Sequence, residues 1–324
     1  MNYGAVSIII PAWNESRTLK ATLQALLHVE YDKKLCEVIV VAGGHDDTYE
    51  MARNVSDAMS VFTRYVVVFQ KPEGKNAAIH EGIKKAQSPV IVLLDADTVA
   101  SEHWLKRMVG AIEKGTCDLA IANPEPVDNT WVSDYYTIMK GYLLDNIVTY
   151  SGNSMAFKAD VVEGRLGYFF DKNVKVGVDY LLARRFMSQG LKVAFVKEAS
   201  VVTHVPACLK YFVLTELRWL TARMSIDGVR YRDFLVNTVV VVALISAIPL
   251  YKPLFMVSML CNAIYISKRI RIFRVGLVGN TTKAISLFGF LFLSYVFQIV
   301  GFVAHMKRFL GLSKEAHLYQ GQRP

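Results

Sequence analysis

Strand-length apolar runs alternate with helical patterns over the first 123 residues of the chain. The apolar runs are Val6–Pro11, Glu37–Val41, Tyr65–Phe69, Val90–Leu94 and Cys117–Ala122. Between them, apolar side chains recur at helical spacing, for example at Leu19, Leu23, Leu26 and Leu27. Strands that alternate with helices build a parallel sheet with helices on both faces. The pattern therefore predicts an α/β fold with a mostly parallel sheet.

Polar residues and glycine mark the starts of the predicted helices. Asp46 and Thr48 suit a helix start after the second strand, and Gly74 precedes a helix over Lys75–Ala86. Ser101 is expected to cap the helix that follows the fourth strand.

Residues 124–206 are less regular than those before them. Short strands are predicted at Val193–Val196 and Val201–Val205, and a helix is predicted at Asp179–Ser188. We take residues 1–206 as one domain. The next segment, 207–232, mixes apolar and basic residues in a way typical of helices that lie on a membrane surface.

From residue 234 the chain contains long runs without charge. Residues 234–251, 253–267 and 284–304 contain no charged side chain. The first and third are long enough to cross a hydrocarbon core of roughly 30 Å, and the second is a tilted or partial span. A buried soluble hairpin is the alternative, but residues 284–304 are apolar on every helical face. We predict two or three spans within 233–306, followed by a tail at 307–324.

The composition agrees with a membrane protein that binds no nucleic acid. Hydrophobic residues make up 53% of the chain and the mean hydropathy is +0.28. The net charge is +9, and no RNA- or DNA-binding motif accompanies it. Four cysteines without close spacing indicate neither a zinc site nor a disulfide framework, which fits a reducing compartment.

Basic residues near the spans indicate which side faces the cytoplasm. Lys268, Arg269 and Arg271 belong to a cluster without acids, and such loops stay cytoplasmic. We therefore expect an integral protein of the cell membrane whose first domain, residues 1–206, faces the cytoplasm. Three spans would place the C-terminus outside, whereas Lys307 and Arg308 favour the inside, so the number of spans stays open.

Two carboxylates follow the fourth predicted strand. Asp95 and Asp97 come directly after Val90–Leu94, at the strand end where open α/β sheets bind ligands. Two carboxylates one residue apart can hold a hard divalent cation, which in turn can neutralise a diphosphate. A plain surface turn is the alternative, since Asp is common in turns. The position after a buried strand favours metal and phosphate binding.

Two further polar segments follow the first and third strands. Pro11, Ala12, Asn14 and Glu15 lie at the end of the first strand. Lys75 follows Gly74 at a helix start, where a backbone can approach a phosphate. Each segment alone is a weak signal.

Together with Asp95-Ala96-Asp97, these segments resemble the family 2 glycosyltransferases, which are inverting enzymes of the GT-A fold. That family includes dolichyl-phosphate sugar synthases and the hyaluronan and cellulose synthases. The resemblance covers about residues 5–220. It implies a nucleotide-sugar donor and a Mg²⁺ or Mn²⁺ cofactor.

The resemblance implies roles for the donor side. Residues that would bind the donor are Pro11, Ala12, Asn14, Glu15, Asp46, Lys75, Asp95, Asp97 and Arg218. Asp95 and Asp97 would also hold the metal. Asp46 matches a helix-capping Asp, but the acidic pair that often precedes it in the family is absent here, so the base and donor identity stay open.

The resemblance also implies an acceptor side. Asp179 matches the general base, for which a helix cap is the alternative. Ser151, Gly152 and Asn153 match a strand that borders the acceptor. His204 matches a position that contacts the metal or diphosphate, with a structural histidine as the alternative.

Arg218 and Trp219 resemble part of a signature of polysaccharide synthases. In that signature the Arg meets the diphosphate and the Trp stacks at the acceptor terminus. An interfacial pair that anchors a surface helix is the alternative.

These observations predict a membrane-anchored inverting glycosyltransferase. Its partners would be a nucleotide-sugar donor, a lipid-linked or glycan acceptor and the lipid bilayer, and a homo-oligomer is left open. A processive polysaccharide synthase is the first alternative. A non-catalytic subunit that binds a sugar nucleotide is an alternative from another class.

Overall fold

The computed structural model of the protein describes residues 3–127, 152–174 and 177–204. It also describes eight single residues: Tyr211, Phe212, Leu214, Thr215, Arg218, Trp219, Ala222 and Ile226. The three ranges belong to one compact unit, and the eight single residues belong to a second. Ser151 and the predicted spans lie outside the described residues. Within the described part, no helix has the length and apolarity needed to cross a bilayer.

The first unit contains eight strands and eight α-helices in its described ranges. The strands are β1 (Val6–Trp13), β2 (Cys36–Gly43), β3 (Arg64–Phe69), β4 (Val90–Leu94), β5 (Thr98–Ala100), β6 (Leu119–Pro126), β7 (Ser154–Lys158) and β8 (Val193–Thr203). The helices are α1 (Leu19–His28), α2 (Thr48–Asn54), α3 (Ser56–Met59), α4 (Lys75–Lys85), α5 (Trp104–Glu113), α6 (Ala159–Val162), α7 (Leu166–Phe169) and α8 (Val178–Ser188).

All eight strands form one mixed sheet in the order β3-β2-β1-β4-β7-β6-β8-β5. The half made of β3, β2, β1 and β4 is parallel, as predicted. Beyond it, β7 runs antiparallel between β4 and β6, and β5 pairs antiparallel with β8. The predicted α/β fold is confirmed, but the sheet is mixed: parallel pairing is continuous from β3 to β4 and occurs again between β6 and β8.

The apolar runs are explained by burial on both faces of the sheet. Ile8 and Ile10 of β1 pack in one core with α1 and α5, whereas Ile9 packs in a second core with α4 and α8. Successive side chains of a strand point to opposite faces, so a strand covered on both sides needs apolar residues throughout. Because the helices cover both faces of the sheet, the ends of the strands are the part that is left open.

Two local predictions differ from the structure. Ser101 does not cap α5; its hydroxyl donates to the carbonyl of Ser200 instead, and the N-cap residue is His103. The two short strands predicted after residue 192 are parts of the single strand β8. A register shift between Ala122 and Asn123 of β6 breaks the pairing with β8 midway, which accounts for the interrupted apolar pattern.

Candidate active site

The loops that follow β1 and β2 are bound to each other by their backbones and by Asn14. The amide of Asn14 donates to the Gly43 carbonyl at 3.1 Å, and its side-chain oxygen accepts from the His45 amide at 2.6 Å. Asn14 has a φ of 57°, a left-handed conformation that Asn tolerates better than most residues. A Cβ on Gly44 would lie 2.3 Å from Asn14 Oδ1, so position 44 has no room for a side chain.

Asp46 joins the same two loops and lies two residues before the start of α2. One carboxylate oxygen accepts from the Ser16 amide at 3.1 Å, and the other accepts from the amide and hydroxyl of Thr48 at 3.1 and 2.5 Å. Partial burial raises the pKa of Asp46, but these hydrogen bonds outweigh it and leave the pKa below its ordinary value. The Thr48 hydroxyl also accepts from the Glu15 amide at 2.7 Å. The predicted helix cap at Asp46 is one residue off, because the N-cap residue of α2 is Asp47; Asp46 instead holds the two loops together.

Pro11 and Ala12 lie within β1, just before this loop. Ala12 is fully buried, whereas Pro11 is partly exposed. Both residues were predicted to bind the donor, but only Pro11 has surface that is accessible to a ligand.

Asp95 and Asp97 form the turn between β4 and β5. The Asp95 amide donates to the Asn153 carbonyl at 2.8 Å, and the ammonium of Lys75 lies 2.5 Å from Asp95 Oδ1. Asp97 is only 6% exposed, and Oδ1 accepts from the Thr98 hydroxyl at 3.4 Å. Lys75 begins α4 and Asp95 follows β4. The two polar segments that the sequence analysis singled out are therefore in direct contact.

The predicted acceptor residues lie on the other side of this turn. The Gly152 amide donates to Asp179 Oδ2 at 2.8 Å, and the next residue, Asn153, binds the Asp95 amide. The N-cap residue of α8 is Gly177, and Asp179 lies in the first turn of the helix. The helix-cap alternative for Asp179 is therefore wrong, because its carboxylate binds Gly152.

Asn153 also ties the end of β8 to this cluster. Its side-chain amide donates to the hydroxyls of Thr203 at 3.1 Å and Thr98 at 3.4 Å. Thr98 and Thr203 pair in the antiparallel ladder of β5 and β8. Asp97 precedes Thr98 and His204 follows Thr203, so Asp97 and His204 lie at the same end of this ladder. His204 is exposed there.

The remaining predicted residues belong elsewhere. Arg218 and Trp219 lie in the second unit, where both have helical backbone and are half-buried. Ser151 lies outside the described residues. Their roles stay predictions.

The carboxylates fit a divalent cation of the kind predicted. Asp95 and Asp97 supply the oxygen ligands that Mg²⁺ and Mn²⁺ prefer, and Asp95 already attracts the Lys75 ammonium. In the described ranges, no three or more His, Cys, Asp or Glu side chains are gathered as a metal site. Mg²⁺ is commonly held by one or two carboxylates together with phosphate oxygens and water, so Asp95 and Asp97 would supply the protein's share of such a site.

Sequence reasoning missed residues that hold the site residues and their loops in place. Thr98 and Thr203 hold the Asn153 side chain; Thr203 lies inside the predicted strand Val201–Val205 and Thr98 lies between predicted elements, so neither position gives a signal. Asn76 was also missed. It is 2% exposed and donates to the carbonyls of Asp171 and Val174, although its place on a helix start gives no sign of burial.

The fold is an α/β domain in which Lys75, Asp95 and the Gly152–Asp179 contact lie close together beside the end of β4. Residues 7–165 match the family model described as Glycosyl transferase family 2, a match that covers just under half of the chain. Over these residues the chain is similar to that family.

Two curated relatives are similar over this domain. The chain is 33% identical to glycosyltransferase AglE of Haloferax volcanii over 121 residues, 37% of this chain and 39% of that protein. It is 31% identical to poly-beta-1,6-N-acetyl-D-glucosamine synthase of Staphylococcus aureus over 98 residues, 30% of this chain and 23% of that protein. The matches thus span well under half of each relative.

Solved structures share the fold. The mannosyltransferase PcManGT from Pyrobaculum calidifontis, in complex with GDP-Man and Mn²⁺, aligns with a TM-score of 0.61 at 18% identity, over 94% of this chain and 88% of that one. S. aureus TarS 1-349 in complex with UDP aligns with a TM-score of 0.51 at 15% identity, over 71% of this chain and 68% of that one. At these identities the likeness extends to the fold alone.

Proposed function

We propose that the protein is a membrane-anchored inverting glycosyltransferase that moves a sugar from a nucleotide-sugar donor to a lipid-linked acceptor. One observation carries this proposal. The consecutive residues Gly152 and Asn153 bind the Asp179 carboxylate and the Asp95 amide, so a candidate base and a candidate diphosphate site share one support. A displacement at a sugar carbon needs these two functions on opposite sides of that carbon.

The donor side is supported by the charge arrangement around Asp95. Asp95 and Asp97 would hold a Mg²⁺ or Mn²⁺ ion, which when bound neutralises charge on the leaving diphosphate. Lys75 offers a second positive charge beside Asp95, and the α4 N-terminus behind it favours anions. The relatives and the neighbouring structures that carry nucleotide sugars support the same donor class.

Asp179 supplies the acceptor chemistry. Its carboxylate takes the proton of the acceptor hydroxyl as the hydroxyl oxygen bonds to the anomeric carbon. The bond from that carbon to the diphosphate oxygen breaks at the same time, and the nucleoside diphosphate leaves with the bonding pair. A single displacement of this kind inverts the configuration. An anionic phosphate acceptor carries no proton to remove, and Asp179 then positions it.

The lipid acceptor and the membrane location rest on the sequence. The uncharged runs at 234–251 and 284–304 have the length of spans, and the basic cluster near Lys268 favours a cytoplasmic catalytic domain. The resemblance assigns Arg218 to the diphosphate and Trp219 to the acceptor end. An active site beside the cytoplasmic leaflet of the cell membrane favours a polyprenyl phosphate or a lipid-linked glycan.

A processive polysaccharide synthase is the second candidate. The similarity to poly-beta-1,6-N-acetyl-D-glucosamine synthase favours it, as does the pair Arg218 and Trp219. Two or three spans would hardly enclose a polymer channel, which favours single addition. A non-catalytic subunit that binds sugar nucleotides is disfavoured because Asp95, Asp97 and Asp179 are all present.

A screen of nucleotide sugars with the full-length chain tests these functions. Each donor is incubated with Mn²⁺ or chelator, with and without a polyprenyl phosphate, and the products are resolved by size. The proposal expects cation-dependent release of nucleoside diphosphate and one sugar per lipid. Long products would favour the synthase. Donor binding without turnover for any acceptor would favour the non-catalytic subunit.

A further inference from the structure

Asn76 holds a loop that leads to Asp179. The residue lies in the first turn of α4, directly after Lys75, and is 2% exposed. Its side-chain amide donates to the carbonyls of Asp171 at 2.6 Å and Val174 at 3.2 Å. This loop connects α7 with α8, the helix that carries Asp179 in its first turn.

The held loop is also braced by its own contacts. The Asp171 carboxylate accepts from the Asn173 amide at 2.9 Å and lies 3.7 Å from the Arg185 guanidinium of α8. The Val174 amide donates to the Asp171 carbonyl at 3.0 Å. Residues 171–174 of this loop therefore form a compact turn that is attached to Arg185 of α8 on one side and to Asn76 on the other.

Stability alone does not explain an asparagine at this point. The side-chain oxygen of Asn76 is buried and has no hydrogen-bond partner among the described residues; an unpaired buried acceptor costs about 1–3 kcal/mol. Asparagine is also a weaker helix former than alanine. The amide nitrogen, by contrast, makes two bonds to backbone far along the chain. What Asn76 contributes is therefore the position of the loop that its side-chain amide binds.

We infer that Asn76 is a positioning residue that sets the placement of Asp179 relative to the donor site. This inference rests on the proposed function. Lys75 contacts Asp95 and its neighbour Asn76 holds the loop before α8, so one helix start fixes both sides of the reaction centre. A loop released from Asn76 would let α8 shift, and a small displacement of a base reduces turnover strongly.

The first test compares Asn76→Ala with a matched control, Tyr65→Phe. The Tyr65 hydroxyl donates to the Ala52 carbonyl at 2.7 Å, so this control also removes a side-chain bond to backbone, away from the site. Hydrogen exchange in peptides covering 171–180 should rise in Asn76→Ala and stay unchanged in Tyr65→Phe. If Asn76→Ala does not fold, Asn76→Ser keeps one donor and should give a smaller rise.

The second test measures turnover. Asn76→Ala should lower kcat roughly 10-fold or more while donor KM changes less than about twofold, since the donor contacts remain. Added to Asp179→Asn, it should cause little further loss, because both changes act through the same carboxylate.

The outcomes separate the inference from the proposed function. Unchanged exchange at 171–180, additive losses in the double variant, or a loss confined to donor KM would each overturn the role of Asn76. A wild-type chain that turns over no nucleotide sugar would count against the proposed function, while the exchange comparison would still decide whether Asn76 anchors the loop.

Discussion

Gly152 and Asp179 are in contact at a distance that only glycine permits. The Gly152 amide donates to Asp179 Oδ2 at 2.8 Å, and a Cβ built at position 152 would lie 2.0 Å from the Asp179 Cβ. Real Cβ atoms do not approach each other this closely, so any side chain at 152 must move Asp179. The chain therefore fixes its candidate base through the absence of a side chain two residues before β7.

Gly152→Ala is expected to displace Asp179 and to lower kcat by roughly 10²-fold. The unit should stay folded, with a loss of about 1–3 kcal/mol from overpacking. Steady-state kinetics and thermal unfolding measure the two effects. Gly167→Ala is the control, because a Cβ there meets nothing within 4 Å, and it should leave kcat unchanged. Equal kinetics for the two variants would contradict the contact.

Asp179→Asn keeps the size of the side chain but removes the proton acceptor. For a hydroxyl acceptor, kcat should fall by roughly 10²-fold or more while donor affinity changes little. For a phosphate acceptor the loss should be smaller and only weakly dependent on pH, because no proton is removed. Kinetics across pH with donor binding by calorimetry distinguish these cases. Weakened donor binding with unchanged turnover of bound donor would mean that Asp179 is not on the acceptor side.

Asp97→Asn should abolish transfer and cation-dependent donor binding. The substitution is close to isosteric at a residue that is 6% exposed, so the fold should persist. It removes one of the two carboxylates available to the cation. Binding of Mn²⁺ followed by electron paramagnetic resonance, with and without nucleotide sugar, is the direct measurement. Asp57→Asn, at an exposed position of α3, should bind Mn²⁺ and donor as the wild type does.

Glu37 should make folding stability depend on pH. Burial raises the pKa of Glu37, but hydrogen bonds from Ser7, the Gln87 amide and Arg64 outweigh it and hold the pKa below its ordinary value of 4.5. The stabilisation is thus fully present above pH 4.5 and is lost as the pH falls through the lowered pKa. Thermal unfolding midpoints from neutral to acidic pH should fall less steeply for Glu37→Gln. The exposed control Glu50→Gln should follow the wild type.

Truncation after Arg232 should remove integral membrane attachment. The shortened chain lacks the uncharged runs from 234 onward but keeps the basic and aromatic residues of 207–232, which favour surface binding. Carbonate extraction of membranes should release the truncated chain and retain the full-length one. Release of both to the same extent would show that residues 234–304 are not spans.

The sequence pattern predicts the parallel half of the sheet and the polar residues at its strand ends. Both can be predicted because they depend on residues that are close together along the chain. Val90–Leu94 is apolar throughout because β4 is buried on both faces, and Asp95 is polar because the strand ends there. The insertion of β7 beside β4 could not be predicted in this way, since strand order depends on partners far along the chain. Asn76 was missed for the same reason: its burial depends on the loop at 171–174.

The insertion of β7 between β4 and β6 also determines when the site can form. The amide of Asp95 has its acceptor on Asn153, so the first strands can pair during synthesis while that amide still lacks its acceptor. Gly152, Asn153 and Asp179 are all synthesised after β1, β2, β3 and β4 are complete. The nascent chain therefore acquires its scaffold early and its reactive geometry late, and the onset of catalysis would be a late marker of folding.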